Sequence, residues 1–444
     1  METLKGSFDY ERLVQEERRL TEYMEGQGTA IDWTGAAEDT QYFTHGIHPY
    51  PARMAPHISR RLLRLYSRSK DDLLLDPYCG SGGVLIEGML YDRFGIGIDL
   101  NPLAVLMARV KTTPVGAREL NKARAELLTD IDRRVATGNW PTPPDIKNRD
   151  FWFKPDAVRE LSAIKASLDL LKDRPKVYDF FRVCFSLTVR KASNLRNGEF
   201  KLYGKNPEEK AKFKPEAIKK FQKVTLDNIG KMRQFSEEMQ RHLNGKAEIK
   251  EGDTRQLLDI YPEVLKEKSV RILVTSPPYG DSHTTVAYGQ FSRYSSLWLG
   301  LPQEKVLSVD ERGLGGRLIH KEGELNSRTL KRLLSEIGKT DEHRAREVFA
   351  FFYDADRCLE QIAKALIPGE SHVAYVLANR TVRRVHIQSD IVFDELAKQY
   401  GLKHLTTVYR DIPNKYIPYL NAPENIPGKL GPTMSKESIV IWKY

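Results

Sequence analysis

The chain reads as an open, doubly wound α/β fold, and three stretches predict it. Leu73 to Gly83 reads L-L-L-D-P-Y-C-G-S-G-G and runs into V-L-I-E-G-M-L at helical spacing, which is a strand, a glycine turn and a helix. F-G-I-G-I-D-L-N-P is a second short strand, and it ends in Asp99, roughly 20 positions after the glycines. I-L-V-T-S-P-P-Y-G-D, from Ile272 to Asp281, is an apolar strand that enters a polar loop stiffened by two prolines. Gly80, Gly82 and Gly83 let the backbone approach a ligand closely, the following helix aims its N–H groups into the same space, and an acid at the second strand end suits ribose hydroxyls.

The loop carries its own chemistry. Prolines have no N–H to donate, so the carbonyls around Ser276 and Pro277 are free acceptors. An exocyclic NH₂ of a nucleobase is a matching donor: the Ser276 hydroxyl and the Pro277 carbonyl each take one hydrogen while Tyr279 stacks on the ring. The alternative is a Pro-Pro turn that merely closes a buried strand.

D-P-Y-C-G-S-G-G and T-S-P-P-Y together resemble the cofactor and catalytic motifs of the S-adenosylmethionine-dependent amino methyltransferases of DNA. H-G-I-H-P-Y-P-A-R-M, from His45 to Met54, is similar to the family's segment ahead of the glycine turn, which closes over the methionine end of the cofactor. E-G-D-T-R-Q-L, from Glu251 to Leu257, is similar to the loop whose Asp meets the adenine, here Asp253. The resemblance covers residues 43–111 and 247–444. It implies a Rossmann-like class I methyltransferase core with a mostly parallel seven-stranded sheet, and S-adenosyl-L-methionine as cofactor. It assigns His48, Pro49, Asp76, Tyr78, Gly80, Ser81, Gly82, Asp99, Leu100, Asp253 and Thr254 to the cofactor, and Ser276, Pro277, Pro278 and Tyr279 to catalysis. Ser at the head of the tetrapeptide is typical of N4-cytosine enzymes, whereas Asp or Asn is typical of adenine-N6 enzymes. Methylation at carbon 5 of cytosine uses a Pro-Cys nucleophile, and no Pro-Cys occurs in the chain. The implied partners are double-stranded DNA and a cognate restriction endonuclease. Cys79, inside the glycine turn, is expected to pack as a small apolar residue.

The remaining elements follow in order. Residues 1–42 form an N-terminal helical segment without an apolar run of signal-peptide length. Between about Lys111 and Ala247, where an open α/β fold needs only a short loop, roughly 130 residues are inserted. This insertion, residues 112–246, is mainly helical: E-L-N-K-A-R-A-E-L-L-T-D-I-D-R-R, then a P-T-P-P break, then D-A-V-R-E-L-S-A-I-K-A-S-L-D-L-L, while the apolar run from Val177 is a buried helix or strand. Arg190 to Arg233 hold thirteen Lys or Arg against five Asp or Glu, most of the chain's net +10. That surplus predicts a duplex-gripping, target-recognition surface through Arg190, Lys191, Lys201, Lys205, Lys212 and Lys214, with Asn194, Arg196 and Asn197 able to read base edges. The alternative is a solvated lysine-rich face.

Beyond the catalytic loop, H-T-T-V-A-Y-G-Q-F-S-R-Y-S-S-L-W-L-G is expected to wall the base pocket, with Trp298 and Leu299 in the core, and residues 303–346 to be a charged mobile loop that orders on DNA. A helix from about Arg346 to Leu366 leads to S-H-V-A-Y-V-L-A-N as the fifth strand, and D-I-P-N-K-Y-I-P and E-S-I-V-I-W-K-Y fit closing antiparallel strands. Three cysteines, no zinc-type spacing and no membrane-length apolar run predict a metal-free cytoplasmic protein. Two other readings compete: an RNA guanine-N2 methyltransferase, whose glycine motif is similar but which carries Asp or Asn before Pro-Pro-Tyr, and a silent nucleic-acid-binding relative, which has no need of an intact Ser276 or Asp76.

Overall fold

A computed structural model of the protein describes residues 31–35, 38–196, 198, 200–265, 269–281, 285–319, 324–412, 420–421, 431–432 and 436–444. Most of the expected N-terminal helical segment lies outside them. Seven strands, β1 (Leu73–Asp76), β2 (Phe94–Asp99), β3 (Lys246–Glu251), β4 (Val270–Thr275), β5 (His372–Leu377), β6 (Lys403–Asp411) and β7 (Lys436–Lys443), build one sheet. Its order is β3-β2-β1-β4-β5-β7-β6. The first five strands are parallel, and β7 runs antiparallel between β5 and β6. Strand order reverses between β1 and β4, so a crevice opens beyond their carboxyl ends, where such folds bind ligands.

The sheet is covered on both faces here, and β1 and β5 are buried along their whole length, mostly by apolar residues. Helices α1 (Pro56–Tyr66), α2 (Gly83–Leu90) and α3 (Pro102–Lys111) cover one face, with Ile58, Leu62, Val84, Leu85 and Val105 on Leu74, Ile272 and Val274. Outside them lie the insertion's long helices α4 (Ala117–Thr137), α5 (Pro155–Leu168), α6 (Pro175–Ala192) and α7 (Ala217–Met239), and then α8 (Tyr288–Trp298). The run from Val177 is therefore helix, begun by Pro175 in its first turn. One apolar cluster joins Leu103, Leu106, Met107 and Val110 of α3 to Leu127, Leu161, Phe181 and Phe235 of the insertion and Phe291 and Trp298 of α8. The insertion is thus a third layer of the same core. On the opposite sheet face, α9 (Arg328–Gly338), α10 (Glu342–Ala365) and α11 (Ser389–Lys398) pack Leu330, Phe352, Leu359 and Phe393 over Leu75, Leu273 and Val373.

Two expectations need correction. The sixth strand is not D-I-P-N-K-Y-I-P but the preceding K-H-L-T-T-V-Y-R-D, with residues 413–419 outside the described set. It lies at the sheet edge, mostly exposed, so it lacks the apolar run that marks a buried strand. The charged stretch 303–346 is not one open loop: it holds short helices at Gln303–Leu307 and Val309–Arg312 and all of α9, whose Leu330, Leu333 and Ile337 are buried at helical spacing. Among the described residues no helix is long and apolar enough to cross a membrane, and no three His, Cys, Asp or Glu converge as for a metal.

Candidate active site

The carboxyl ends of β1, β2, β3 and β4 converge on a cleft of about 960 Å³, its mouth included. From the predicted cofactor set, Asp76, Tyr78, Gly80, Ser81, Asp99, Leu100, Asp253 and Thr254 line it, and from the catalytic loop Ser276 and Pro278. The glycine turn is tight: the Gly82 N–H donates to the Cys79 carbonyl at 2.7 Å, and the Cys79 N–H to Ile98 in β2 at 2.9 Å. Gly80 (φ +50°) and Gly82 (φ +84°) sit in the left-handed region. A Cβ on Gly80 would meet the Tyr50 ring at 3.1 Å, and one on Gly82 the backbone of α3, whereas Gly83 faces open space out to 4.0 Å.

Asp99 is held on both oxygens. The Gly80 N–H donates to Oδ2 at 2.9 Å and the Asn101 N–H to Oδ1 at 2.8 Å. A carboxylate has about four acceptor sites, so two remain, and the cleft fits a ligand that presents hydroxyls there. Asp76 accepts from Thr275 Oγ1 at 2.6 Å, which ties β1 to β4, and from the Tyr78 N–H at 3.3 Å. Burial pushes Asp76 up to about 7 and Asp99 up to about 6. Asp253 lies in a fork of Arg255, which also pairs with Asp354 of α10 at 2.7 Å and donates to the Arg312 carbonyl at 2.8 Å. Through that fork the segment carrying Gly313 and Leu314, part of the supposed loop, becomes a cleft wall.

The Ser-Pro-Pro-Tyr loop is fixed at several points. Ser276 Oγ donates to the Val376 carbonyl at 3.0 Å and lies 3.4 Å from the Tyr279 hydroxyl. That hydroxyl donates to Glu437 at 2.8 Å, and Arg410 Nε donates to the other Glu437 oxygen at 2.8 Å. Burial and the Glu437 charge raise the Tyr279 phenol well above its usual range, so it stays a donor. After it, Asp281 forms a buried ion pair with Arg380 at 2.8 Å, and the guanidinium lies where a side chain at Gly280 would be.

Several expected site residues sit elsewhere. His48 is 1% exposed, pushed down to about 3 by burial, and its Nδ1 is spent on the Pro49 carbonyl at 2.7 Å. The exposed Pro49 is likewise off the cleft, which takes Tyr50 to Met54 instead. Gly82, Pro277 and Tyr279 are not among the lining residues but adjoin them in the chain, beside Ser81, Gly83, Ser276 and Pro278. Tyr50 and Arg53, from the segment expected to close over the cofactor, and Tyr288, from the one expected to wall the base pocket, line the cleft, as does Asn101, to which the sequence reading gives no role of its own. Asn101 caps α3 through the Leu103 N–H and reaches Tyr50 and Ser292; its D-L-N-P setting, an Asn before a helical Pro, is the available signal.

The predicted DNA-contacting side chains divide in two. Arg190 is buried, stacked 3.9 Å over Phe291 and bonded to its carbonyl; Lys205 is spent on the Ser193 and Leu195 carbonyls; Asn194 is buried against Phe151. Asn194 and Lys205 tie the ends of the 194–205 stretch and Arg190 ties α6 to α8, so these heads are removed from the surface. Lys191, Arg196, Lys212 and Lys214 point outward, and Lys201 is half-buried. Exposed Phe151, Phe200 and Tyr203 share this face, with Lys210 Nζ 3.7 Å over Phe151.

Comparison with known proteins agrees with this geometry. Residues 47–135 match the family model described as a UPF0020, RMKL-like methyltransferase domain. A type II methyltransferase of Kocuria varians, M.MvaI, is 37% identical over 425 residues, 91% of this chain and 92% of that protein. A tRNA (guanine(10)-N2)-dimethyltransferase of Methanothermobacter thermautotrophicus is 38% identical, over 52 residues and 12% of the chain. Among solved structures, the rRNA methyltransferase AviRa of Streptomyces viridochromogenes aligns over 89% of this chain and 88% of its own at 12% identity and a TM-score of 0.32. The near full-length match, on an α/β core with this strand order and glycine cleft, shows that the chain belongs to the type II methyltransferases and uses S-adenosyl-L-methionine as its methyl donor.

Proposed function

We propose that the protein methylates the exocyclic N4 of cytosine in duplex DNA, at a short specific site and on a flipped-out base, as the protective partner of a restriction endonuclease. The observation that carries this reading is the Ser276 hydroxyl opening into the same cleft as Gly80 and Asp99. S-adenosyl-L-methionine supplies an electrophilic sulfonium methyl there. Asp99 takes the ribose hydroxyls, the turn from Tyr78 to Gly83 and the residues Tyr50 to Met54 enclose the methionine end, and Asp253 and Thr254 border the adenine. Ser276 Oγ and the Pro277 carbonyl accept the two amino hydrogens, which localises the nitrogen lone pair toward the methyl group. Tyr279 offers a stacking surface to a base that a duplex must release at a cost of a few kcal/mol. Mass spectrometry of nucleosides from DNA treated with the enzyme tests the product. N6-methyladenine would exchange the base and keep the mechanism. The short tRNA-enzyme match favours RNA guanine N2 as second reading, and methylated guanosine from RNA alone would establish it.

Cofactor binding is expected to depend on pH through Asp99. Hydroxyls donate more strongly to its ionised form, so S-adenosylmethionine affinity should weaken as pH falls below about 6, and Asp99→Asn should remove that dependence in calorimetry. Stability runs the other way. Because burial raises both Asp76 and Asp99 above an unfolded carboxyl, the free protein binds more protons folded than unfolded, and these two groups stabilise it as pH falls from about 7 toward 4.

For DNA, neutralising the outward Lys191, Lys212 and Lys214 should weaken binding to all sequences alike and flatten the salt slope by roughly 0.9 per lost phosphate contact. Lys205→Ala and Arg190→Ala should instead lower the melting temperature, since each leaves buried carbonyls unpaired. Unchanged slopes in the first set would return this face to a solvated surface.

A further inference from the structure

Transfer to an amino nitrogen leaves a proton to be disposed of, and one set of side chains behind the cleft is arranged to take it. Ser276 Oγ, which donates to the Val376 carbonyl, lies 3.4 Å from the Tyr279 hydroxyl, and the Tyr279 hydroxyl donates to Glu437 Oε1 at 2.8 Å. A hydrogen accepted at Ser276 from a substrate amine therefore completes a run in which every group donates to the next, from the cleft to a carboxylate. The run ends on β7, at the register position where Glu437 faces Arg410 of β6. Arg410 Nε holds the far oxygen of Glu437 and its Nη1 holds the Trp33 and Thr34 carbonyls, so the carboxylate keeps one orientation. Among the described residues Glu437 does not line the cleft and is joined to Ser276 by way of Tyr279, and stacking on a base needs the tyrosine ring but not its hydroxyl.

We infer that Tyr279 and Glu437 form the exit path for the amino proton, with Glu437 as its terminal acceptor and Tyr279 as the link. The inference rests on the amino-methyltransferase reading of Ser276 and holds for any exocyclic amine. The step balances. The N–C bond forms as the S–C bond breaks, with that electron pair leaving on sulfur and the positive charge passing to nitrogen. One N–H proton then moves to Ser276 Oγ as the serine proton moves to Tyr279 Oη and the tyrosine proton to Glu437; the N–H pair returns to nitrogen, giving a neutral secondary amine. An alkylated, positively charged nucleobase amino group is a far stronger acid than a carboxylic acid, so the transfer runs downhill even with Arg410 beside the acceptor. The 3.4 Å link is long because the serine hydrogen rests on the Val376 carbonyl; occupation of Ser276 by a substrate N–H turns the rotor toward Tyr279, as apo catalytic contacts commonly tighten on binding.

Single-turnover methylation of duplex DNA by the full-length enzyme tests this with Tyr279→Phe, Glu437→Gln and the double variant. Phe keeps the ring and removes only the link; Gln keeps an acceptor for the tyrosine but takes no proton. Each is expected to lose about 10²-fold in rate with S-adenosylmethionine affinity retained, and the double variant no more than either alone, since a relay fails as a unit. A carboxylic-acid carbonyl band should also rise in the infrared difference spectrum during wild-type turnover and be missing in Glu437→Gln. Wild-type rates in Tyr279→Phe, or losses that multiply in the double variant, overturn the relay while nucleoside analysis of the same reactions still reports which amine is methylated. If Glu437→Gln unfolds because Arg410 loses its partner, Tyr279→Phe decides alone.

Discussion

Ser276→Ala is expected to slow methyl transfer to duplex DNA about 10²-fold or more while S-adenosylmethionine affinity holds. In the proposed mechanism the hydroxyl is one of two acceptors for the amino hydrogens and the first group in the proton path, and both roles would vanish with one oxygen. The fold should tolerate the change at a modest cost, because the buried Val376 carbonyl loses one hydrogen bond, on the order of 1 kcal/mol. Rapid-quench rates with enzyme in excess, beside calorimetry of the cofactor, separate chemistry from binding. An alanine variant at wild-type speed would mean that the Pro-Pro turn only closes β4.

Gly80→Val is expected to abolish measurable cofactor binding in calorimetry and, with it, activity. A β-branched residue at φ +50° costs on the order of 1–3 kcal/mol in strain, and its Cβ would press the Tyr50 ring at 3.1 Å from inside the cleft. The displaced backbone would also release Asp99, since the Gly80 N–H is one of its two anchors. Asp99→Ala should weaken the same binding by a different route, removing the acceptor and leaving the turn in place. If both variants bound S-adenosylmethionine as the wild type does, the ligand would have to lie elsewhere than over the glycine turn.

What the sequence disclosed tracks how local each signal is. β1, its glycine turn and Asp99 were legible because strand, turn and acid lie within 27 residues and each has a steric or capping reason to stand there. The Ser276 loop was legible because its prolines have few uses. Tyr50 and Tyr288 were legible only as members of longer segments, and Asn101 and the Gly313 segment not at all, since they reach the cleft through contacts between distant elements, such as Asn101 to Tyr50 and Arg255 to Asp354. The edge strand β6 was misplaced because hydropathy reports burial and that strand is solvated. Charge counting failed at single residues for a related reason. The surplus from Arg190 to Arg233 is real, yet composition does not say which heads turn inward: Arg190 packs on Phe291 of α8 and bonds its carbonyl, and Lys205 satisfies carbonyls at the end of α6 and just beyond it.

The shared core of α3 with the insertion limits how this enzyme can be re-engineered. A chimera cut at residues 112 and 246, intended to transplant sequence preference between relatives, would carry off Leu127, Leu161, Phe181 and Phe235 and strip α3 of the partners that cover Leu106 and Val110. The donor fragment would arrive with a bare apolar flank, and the recipient would be left with another beside its cofactor turn. If the insertion reads the target sequence as proposed, exchange of specificity is better attempted at the outward side chains of the 191–214 stretch, on a scaffold inherited whole.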